Sequence, residues 1–383
     1  MGVAEKVRAD GPKRLLALDG GGIRGLIAVE ILGAIEQAVG SPLADYFDYV
    51  AGTSTGAILA SCISKGMSVR EIRDCFDEAG ELMFKGASVF DRPRHKYSAE
   101  PLSSMLKKVF ATGDGRELRL GSPELRTLLL LVLRNATTDS PWPLSNNPAA
   151  RFNDRSLPDC NLDLPLWRLV RASTAAPTYF PPEEIHLADK EEFLFVDGGV
   201  TSYNNPAFLL FLAATLEPYR LEWPTGPENL LLVSVGTGFS AKADASLRPA
   251  QMHLFYSAKS VPSALIASAS VQQDLLCRVF GRCLHGGLID GELGDLRYRA
   301  DRSAPGLPQL FTYLRYTADV SRSGLDAIGL VGVDVERVDR LDAIDSMADL
   351  RRVGVAAARA VDPAHFAGFE RPFVEREPVV VGE

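Results

Sequence analysis

What the 383-residue chain lacks already narrows its function. Its cysteines, Cys62, Cys75, Cys160, Cys277 and Cys283, are odd in number and contain no CxxC pair. Neither a zinc site nor a disulfide framework is indicated, and buried free thiols in a reducing compartment are expected. No stripe of Lys and Arg occurs and the net charge is −8, which argues against nucleic acid as a partner and against purely electrostatic docking on anionic lipid. The longest apolar run, Ala207 to Leu216, has ten residues, short of the roughly 18–20 that span a bilayer, and reads as a buried helix. Met1 to Asp10 is polar, without the apolar stretch of a secretory signal, and Lys6 stands where N-myristoylation wants Ser or Thr. A cytoplasmic protein is the expectation. Internal repeats, low-complexity linkers and DxDxDG calcium loops are missing as well.

What is present is the composition of a globular protein with a real core, 46% hydrophobic and 23% charged. Arg14 to Asp19 is a short apolar run stopped by glycines and predicts a buried strand. Helical spacing follows from Leu26 to Val39, closed by Gly40-Ser-Pro42. Phe47 to Ala51 predicts a second strand, followed by Gly52-Thr-Ser-Thr-Gly56 and a helix through Lys65, a βαβ unit with parallel buried strands. Residues 85–122 predict loops with one helix, Leu128 to Leu133 a strand, and the proline-rich stretch 139–165 a long irregular loop. A helix over Leu166 to Ala175, a strand over Phe193 to Val196, a helix over Asn205 to Leu216 and a strand over Leu230 to Val235 follow. From about residue 245 the pattern is mainly helical.

Three motifs carry chemistry. Ser54 lies between Gly52 and Gly56 in a GxSxG string on a strand-to-helix turn, where glycines make room for a tight backbone and the helix directs its positive end at the serine. Asp19-Gly-Gly-Gly-Ile-Arg-Gly25 follows the first strand, and successive glycines can turn backbone N–H groups into one concavity that stabilises an oxyanion. Gly21 and Gly22 are the candidate donors, while Arg24 either holds the loop or adds positive charge. Asp197-Gly-Gly199 sits just after a strand, where open α/β sheets place their ligands.

The same glycines, Gly20, Gly22 and Gly25, satisfy the GxGxxG dinucleotide fingerprint, so a dinucleotide-dependent oxidoreductase is the alternative. That reading wants an acidic residue at the end of the second strand, where the serine turn stands instead. His253, His285 and His365 follow Asp197, so a Ser-Asp-His order exists, but none directly follows a recognisable strand. An aspartate in a dry pocket can accept the serine proton itself.

DGGGIRG, GTSTG and DGG, in this order and with RASTAAPTYFPP between the last two, resemble the patatin-like phospholipases over roughly residues 14–215. The resemblance implies a patatin-type three-layer α/β/α fold with a central, mostly parallel sheet. Residues 14–215 would form the catalytic core, and 216–383 a continuation with one sheet strand and then mostly helix, packed on that core. It implies a lipid acyl hydrolase with Ser54 as nucleophile and Asp197 as proton acceptor. Gly20, Gly21, Gly22, Arg24 and Gly25 would form the oxyanion loop, Gly52 and Gly56 the nucleophile turn, and Gly198 and Gly199 complete a motif that many members write DGA. No metal or cofactor enters this chemistry. The implied substrate is a phospholipid or other lipid ester, met by peripheral contact with a membrane. The C-terminal region, including Leu276 to Phe280 and Ser323 to Leu330, is similar to bacterial members, some of them antiphage effectors switched on by cyclic nucleotides. A small-molecule activator of that kind is an implied partner, although no nucleotide-binding motif is identifiable, and oligomerisation stays open. Trp142, Phe152, Tyr179 and Phe180 are read either as an acyl channel or lid, or as core and loop anchors.

Overall fold

The structure is a computed structural model, and it describes residues 2–83, 95–187, 191–240, 248, 254–290, 292–297 and 307–371. The chain opens with α1 (Val3–Arg8), β1 (Lys13–Leu18), α2 (Gly25–Val39), α3 (Leu43–Tyr46), β2 (Tyr49–Thr53) and α4 (Thr55–Lys65). It continues through α5 (Val69–Met83), α6 (Glu100–Val109), β3 (Leu128–Asn135), β4 (Ser140–Ser145), α7 (Leu166–Ser173), β5 (Glu183–Leu187) and β6 (Glu191–Asp197). Then come α8 (Ala207–Thr215), β7 (Leu230–Val235), α9 (Leu254–Phe280), β8 (Arg282–His285), β9 (Thr312–Tyr316), α10 (Arg322–Ala327), α11 (Val335–Asp339) and α12 (Met347–Ala358).

Among the described residues nine strands form one sheet in the order β5-β6-β3-β2-β1-β7-β9-β8, with β4 added to β3. The five strands from β3 through β2, β1 and β7 to β9 pair in parallel, as does β8 on β9, whereas β4, β5 and β6 run antiparallel to their neighbours. The central strands are continuous apolar runs because both faces are covered. Leu16, Leu18, Val50, Leu131 and Val233 face one layer with α2, α4, α7 and α12, while Leu15, Ala17, Tyr49, Leu130 and Leu232 face the other with α8 and Cys277 of α9. The period of two along each strand thus sorts neighbouring leucines into separate cores. Helix α12 lies so close on α2 that a Cβ at Gly354 would stand 3.0 Å from the Ile27 Cα.

Strand β3 sets the geometry of the site. Along one edge it pairs with β2 as far as Thr53 opposite Val132, and β6 then takes over with Asp197 opposite Leu133. Strand β4 occupies the other edge from Leu130 to Asn135. The end of β2 and the end of β6 therefore meet head-on at adjacent positions of one template strand.

Several expectations are corrected. The proline-rich stretch 139–165 is not wholly irregular, since it contains β4, and Pro141 and Pro143 are tolerated there because β4 has only β3 as a neighbour among the described residues. Strand β5 precedes β6 in a hairpin that the sequence reading missed. Beyond residue 216 the described residues supply three strands, β7, β8 and β9, where one was expected. Three of the cysteines are buried and free, but Cys75 and Cys283 are only half-buried. Among the described residues no helix is long and apolar enough to cross a membrane.

Candidate active site

Ser54 is the residue between β2 and α4, and its backbone is held at φ 55°, ψ −123°. A positive φ is uncommon outside glycine and costs on the order of 1–3 kcal/mol, so the surroundings must enforce it. They do so by close approach: a Cβ at Gly52 would lie 2.0 Å from the Gly56 carbonyl oxygen, and one at Gly56 2.2 Å from that of Leu18. Only glycine fits at either place. The Ser54 N–H donates to Ser173 Oγ at 3.0 Å, and that hydroxyl donates to the Val132 carbonyl at 2.7 Å.

The serine hydroxyl donates to Asp197 Oδ2 at 2.6 Å. The other carboxylate oxygen, Oδ1, accepts the Gly199 N–H at 2.7 Å, which fixes the plane of the group. The Asp197 N–H in turn donates to Ala175 O at 3.0 Å. One segment at the end of α7, Ser173 to Ala175, therefore braces both halves of the pair. Burial pushes the Asp197 carboxyl up from 3.8 to about 6, against the opposing pull of the Ser54 hydroxyl, the Gly199 N–H and the Arg171 charge. A carboxylate raised in this way is a better base than an exposed one and still ionised at neutral pH.

The loop Gly20 to Gly25 lies against the serine: a Cβ at Gly20 would stand 3.2 Å from Ser54 Cβ. Gly20 N–H donates to Asn204 O, Ile23 N–H to Leu341 O and Arg24 N–H to Gly21 O. This leaves the N–H groups of Gly21 and Gly22 without an acceptor among the described residues. The side chain of Arg24 is half-buried and pairs with Asp339 at 3.3 Å, so of its two readings the structure favours holding the loop. Asp19 forms a buried two-point ion pair with Arg315 of β9, at 2.9 and 2.5 Å.

No histidine among the described residues hydrogen-bonds to Ser54 or Asp197. His365 Nδ1 pairs with the Tyr316 hydroxyl at 2.8 Å, and His285 stacks on Tyr316 at 4.8 Å with its imidazole pushed down to about 4 by burial. His253 lies outside the described residues. The four aromatics do not form one group. Trp142 packs on Phe193 and Phe195, Tyr179 and Phe180 pack on Tyr97, and Phe152 is exposed under Arg151. Glu184, His186 and Glu192 are the one described cluster with ligand atoms close enough for a metal, and they are exposed on the β5–β6 hairpin, at the far end of β6 from Asp197. The space that GxGxxG glycines would offer a pyrophosphate is taken by protein atoms here: a Cβ at Gly20 would meet Asn204 Oδ1 at 2.4 Å and one at Gly22 would meet the Leu341 carbonyl oxygen at 2.3 Å. The oxidoreductase alternative loses its structural basis.

Sequence reasoning missed Ser173, Asn204, Thr237 and Leu341. Ser173 was in view within RASTAAPTYFPP, and Thr237 within the Gly236-Thr-Gly238 end of β7, but nothing in either string says which backbone group it holds.

A serine–aspartate pair at the strand ends of a three-layer α/β/α sheet, beside a glycine loop, defines the class. A family model described as patatin-like phospholipase matches residues 16–211, and the chain belongs to that family. It is 32% identical over 232 residues to an intracellular phospholipase A2 of Caenorhabditis elegans, covering 58% of this chain and 19% of that protein. To the 85/88 kDa calcium-independent phospholipase A2 of Rattus norvegicus it is 35% identical over 202 residues, 50% of this chain and 22% of the other. To a cGAMP-activated phospholipase of Vibrio cholerae it is 33% identical over 213 residues, 51% of this chain and 56% of the other. The chain thus spans about a fifth of the two animal proteins and just over half of the bacterial one.

Proposed function

We propose that the chain is a lipid acyl hydrolase that cleaves the carboxylic esters of membrane phospholipids with Ser54 and Asp197. The observation that carries this reading is the 2.6 Å hydrogen bond from the Ser54 hydroxyl to a buried carboxylate of raised basicity. Ser54 Oγ attacks the ester carbonyl as Asp197 takes its proton, and the carbonyl π pair moves onto oxygen. The Gly21 and Gly22 N–H groups receive that oxyanion. The intermediate collapses, the C–O bond to the alcohol breaks, and Asp197 returns the proton to the lysolipid that leaves. Water then repeats the sequence on the acyl-serine, giving a fatty acid and free Ser54.

The likeness to a cGAMP-activated phospholipase supports a finer proposal, activation by a cyclic nucleotide, and with it the regulated antiphage role that the sequence resemblance implies. Action at the surface of a membrane follows from the proposed substrate.

Lipidomics on phospholipid vesicles treated with wild type or Ser54→Ala, with and without cyclic dinucleotides, tests the reading. Fatty acid and lysolipid released by wild type alone is the expected result, and equal release by Ser54→Ala would overturn it. Labelling of Ser54 by a fluorophosphonate separates this class from an oxidoreductase, which would stay unlabelled.

A further inference from the structure

A peptide unit is planar and trans, so the C=O of one residue and the N–H of the next point in opposite directions. Whatever grips a carbonyl therefore aims the following N–H. In the glycine loop, Thr237 Oγ1 donates to the Gly20 carbonyl at 2.8 Å, and this sets the direction of the Gly21 N–H. The Arg24 N–H donates to the Gly21 carbonyl at 3.2 Å and sets the direction of the Gly22 N–H. Arg24 is itself anchored by its half-buried pair with Asp339, and the next residue back, Ile23, by its N–H to the Leu341 carbonyl at 2.9 Å. That same carbonyl abuts Gly22, where a Cβ would lie 2.3 Å away, and Gly22 has φ 58°.

We propose that Thr237, at the end of β7, and the segment Asp339 to Leu341 are positioning elements of the ester-cleaving site. They orient the two N–H groups that receive the oxyanion. The inference rests on the Ser54–Asp197 reading of that site. All of these residues lie beyond residue 211, where the match to the family ends. The C-terminal continuation is thus a working part of the site, because without it the glycine loop keeps its sequence but loses the partners that orient it. The segment is held from its other side by Asp342, which accepts the Tyr97 hydroxyl at 2.7 Å and pairs with Lys96. Thr237 is nearly inaccessible, at 3% exposure, so water does not substitute for its hydroxyl.

A positioning role differs from a structural one in which kinetic constant moves. Donors that meet the oxyanion only in the transition state affect kcat and leave KM nearly unchanged. Thr237→Val removes the O–H at constant shape, Thr237→Ser restores it, and Asp339→Asn removes the charge that anchors Arg24. Wild type and these three variants, with Ser54→Ala, are assayed on a soluble p-nitrophenyl ester, and active sites are titrated with a fluorophosphonate so that only folded enzyme is counted. The expected result is a kcat about 10- to 100-fold lower for Thr237→Val, KM within about twofold, and recovery to within about threefold in Thr237→Ser. Asp339→Asn is expected to lose about tenfold in kcat, with phosphonylation slowed in parallel. If kcat per titrated site stays within about threefold of wild type in both Thr237→Val and Asp339→Asn while Ser54→Ala is dead, the positioning role is overturned and the dyad stands. If Ser54→Ala remains active, the dyad falls and the positioning role falls with it.

Discussion

Asp197→Asn should abolish turnover and at the same time stabilise the fold. Burial holds the carboxyl at about 6 against 3.8 in an unfolded chain. At about 1.4 kcal/mol per unit, ionising Asp197 inside the protein is roughly 3 kcal/mol less favourable than ionising it in the unfolded state. The native state binds this proton more tightly, so the stability from this group is fully present below about pH 4 and is lost as pH rises to about 6. Above that it is flat. An amide does not titrate, yet it keeps an oxygen for the Gly199 N–H. The stability of the variant minus that of wild type should therefore rise by about 3 kcal/mol between pH 4 and pH 6 and then level off, whatever constant offset the amide introduces. Urea unfolding of both proteins at half-unit steps from pH 4 to pH 8 measures this difference, and the other ionisable groups cancel because both proteins share them. The same carboxyl predicts that kcat/KM of wild type rises through a limb near pH 6, as the base must be ionised to act. A difference that is flat across the range would refute the reasoning: Asp197 would be an ordinary carboxylate. Turnover by Asp197→Asn within about tenfold of wild type would refute its role as base.

Ser173→Ala removes the hydroxyl that links the Ser54 N–H to the buried Val132 carbonyl, and is expected to cost about 1–3 kcal/mol of stability and about tenfold in kcat; an unchanged melting point and rate would reject the brace. His285→Ala and His365→Ala should each keep activity within about threefold, and a folded histidine variant that loses about a thousandfold would replace the dyad with a triad. Hydrolysis of a soluble ester should persist in excess chelator, and complete loss restored by added calcium would reject a calcium-free mechanism. Gly198→Ala is expected to lower kcat at least about a hundredfold in a protein that still folds, whereas Gly199→Ala should stay within a few-fold; equal behaviour of the two would reject a special role for the packing of Gly198 on the Val132 carbonyl.

The parts of the fold that were legible are those where a strand is buried on both faces and ends in glycine. Strands β1, β2 and β7 declare themselves as runs such as Leu230 to Val235, because a parallel strand between two helical layers has no polar face to confuse the pattern. The illegible parts break that rule for local reasons. Prolines hide β4 on the outer edge of β3. Arg315 interrupts β9, and only the fold shows that its charge is neutralised by Asp19, far away in sequence at the end of β1. At the site, Ser54, Asp197 and the glycines could be found because their chemistry demands particular residue types. Leu341 could not, since it acts through a backbone carbonyl that any residue possesses.

The meeting of Ser54 and Asp197 depends on where β6 lies along β3, and Gly198 is what locks that position. Side chains alternate along a strand, so a slip of one residue would put Val196 opposite Leu133 and turn the carboxylate to the other side of the sheet. Gly198 follows Asp197 directly, and its Cα sits against the Val132 carbonyl: a Cβ there would lie 2.2 Å from that oxygen and 2.7 Å from the carbonyl carbon. Ordinary contact needs about 3.4 Å or more, so a methyl group forces a backbone separation of about 1 Å, and the obstacle is a sheet strand that cannot yield. A displacement of that size would lengthen the 2.6 Å Ser54–Asp197 contact past hydrogen-bond range. Gly199 is different. A Cβ at Gly199 would meet Asn204 Oδ1 at 2.9 Å and Asp197 Oδ1 at 3.0 Å, and the nearer of these is the tip of a side chain that can rotate. This asymmetry accounts for the alanine that the resemblance allows at the third position of the DGG motif.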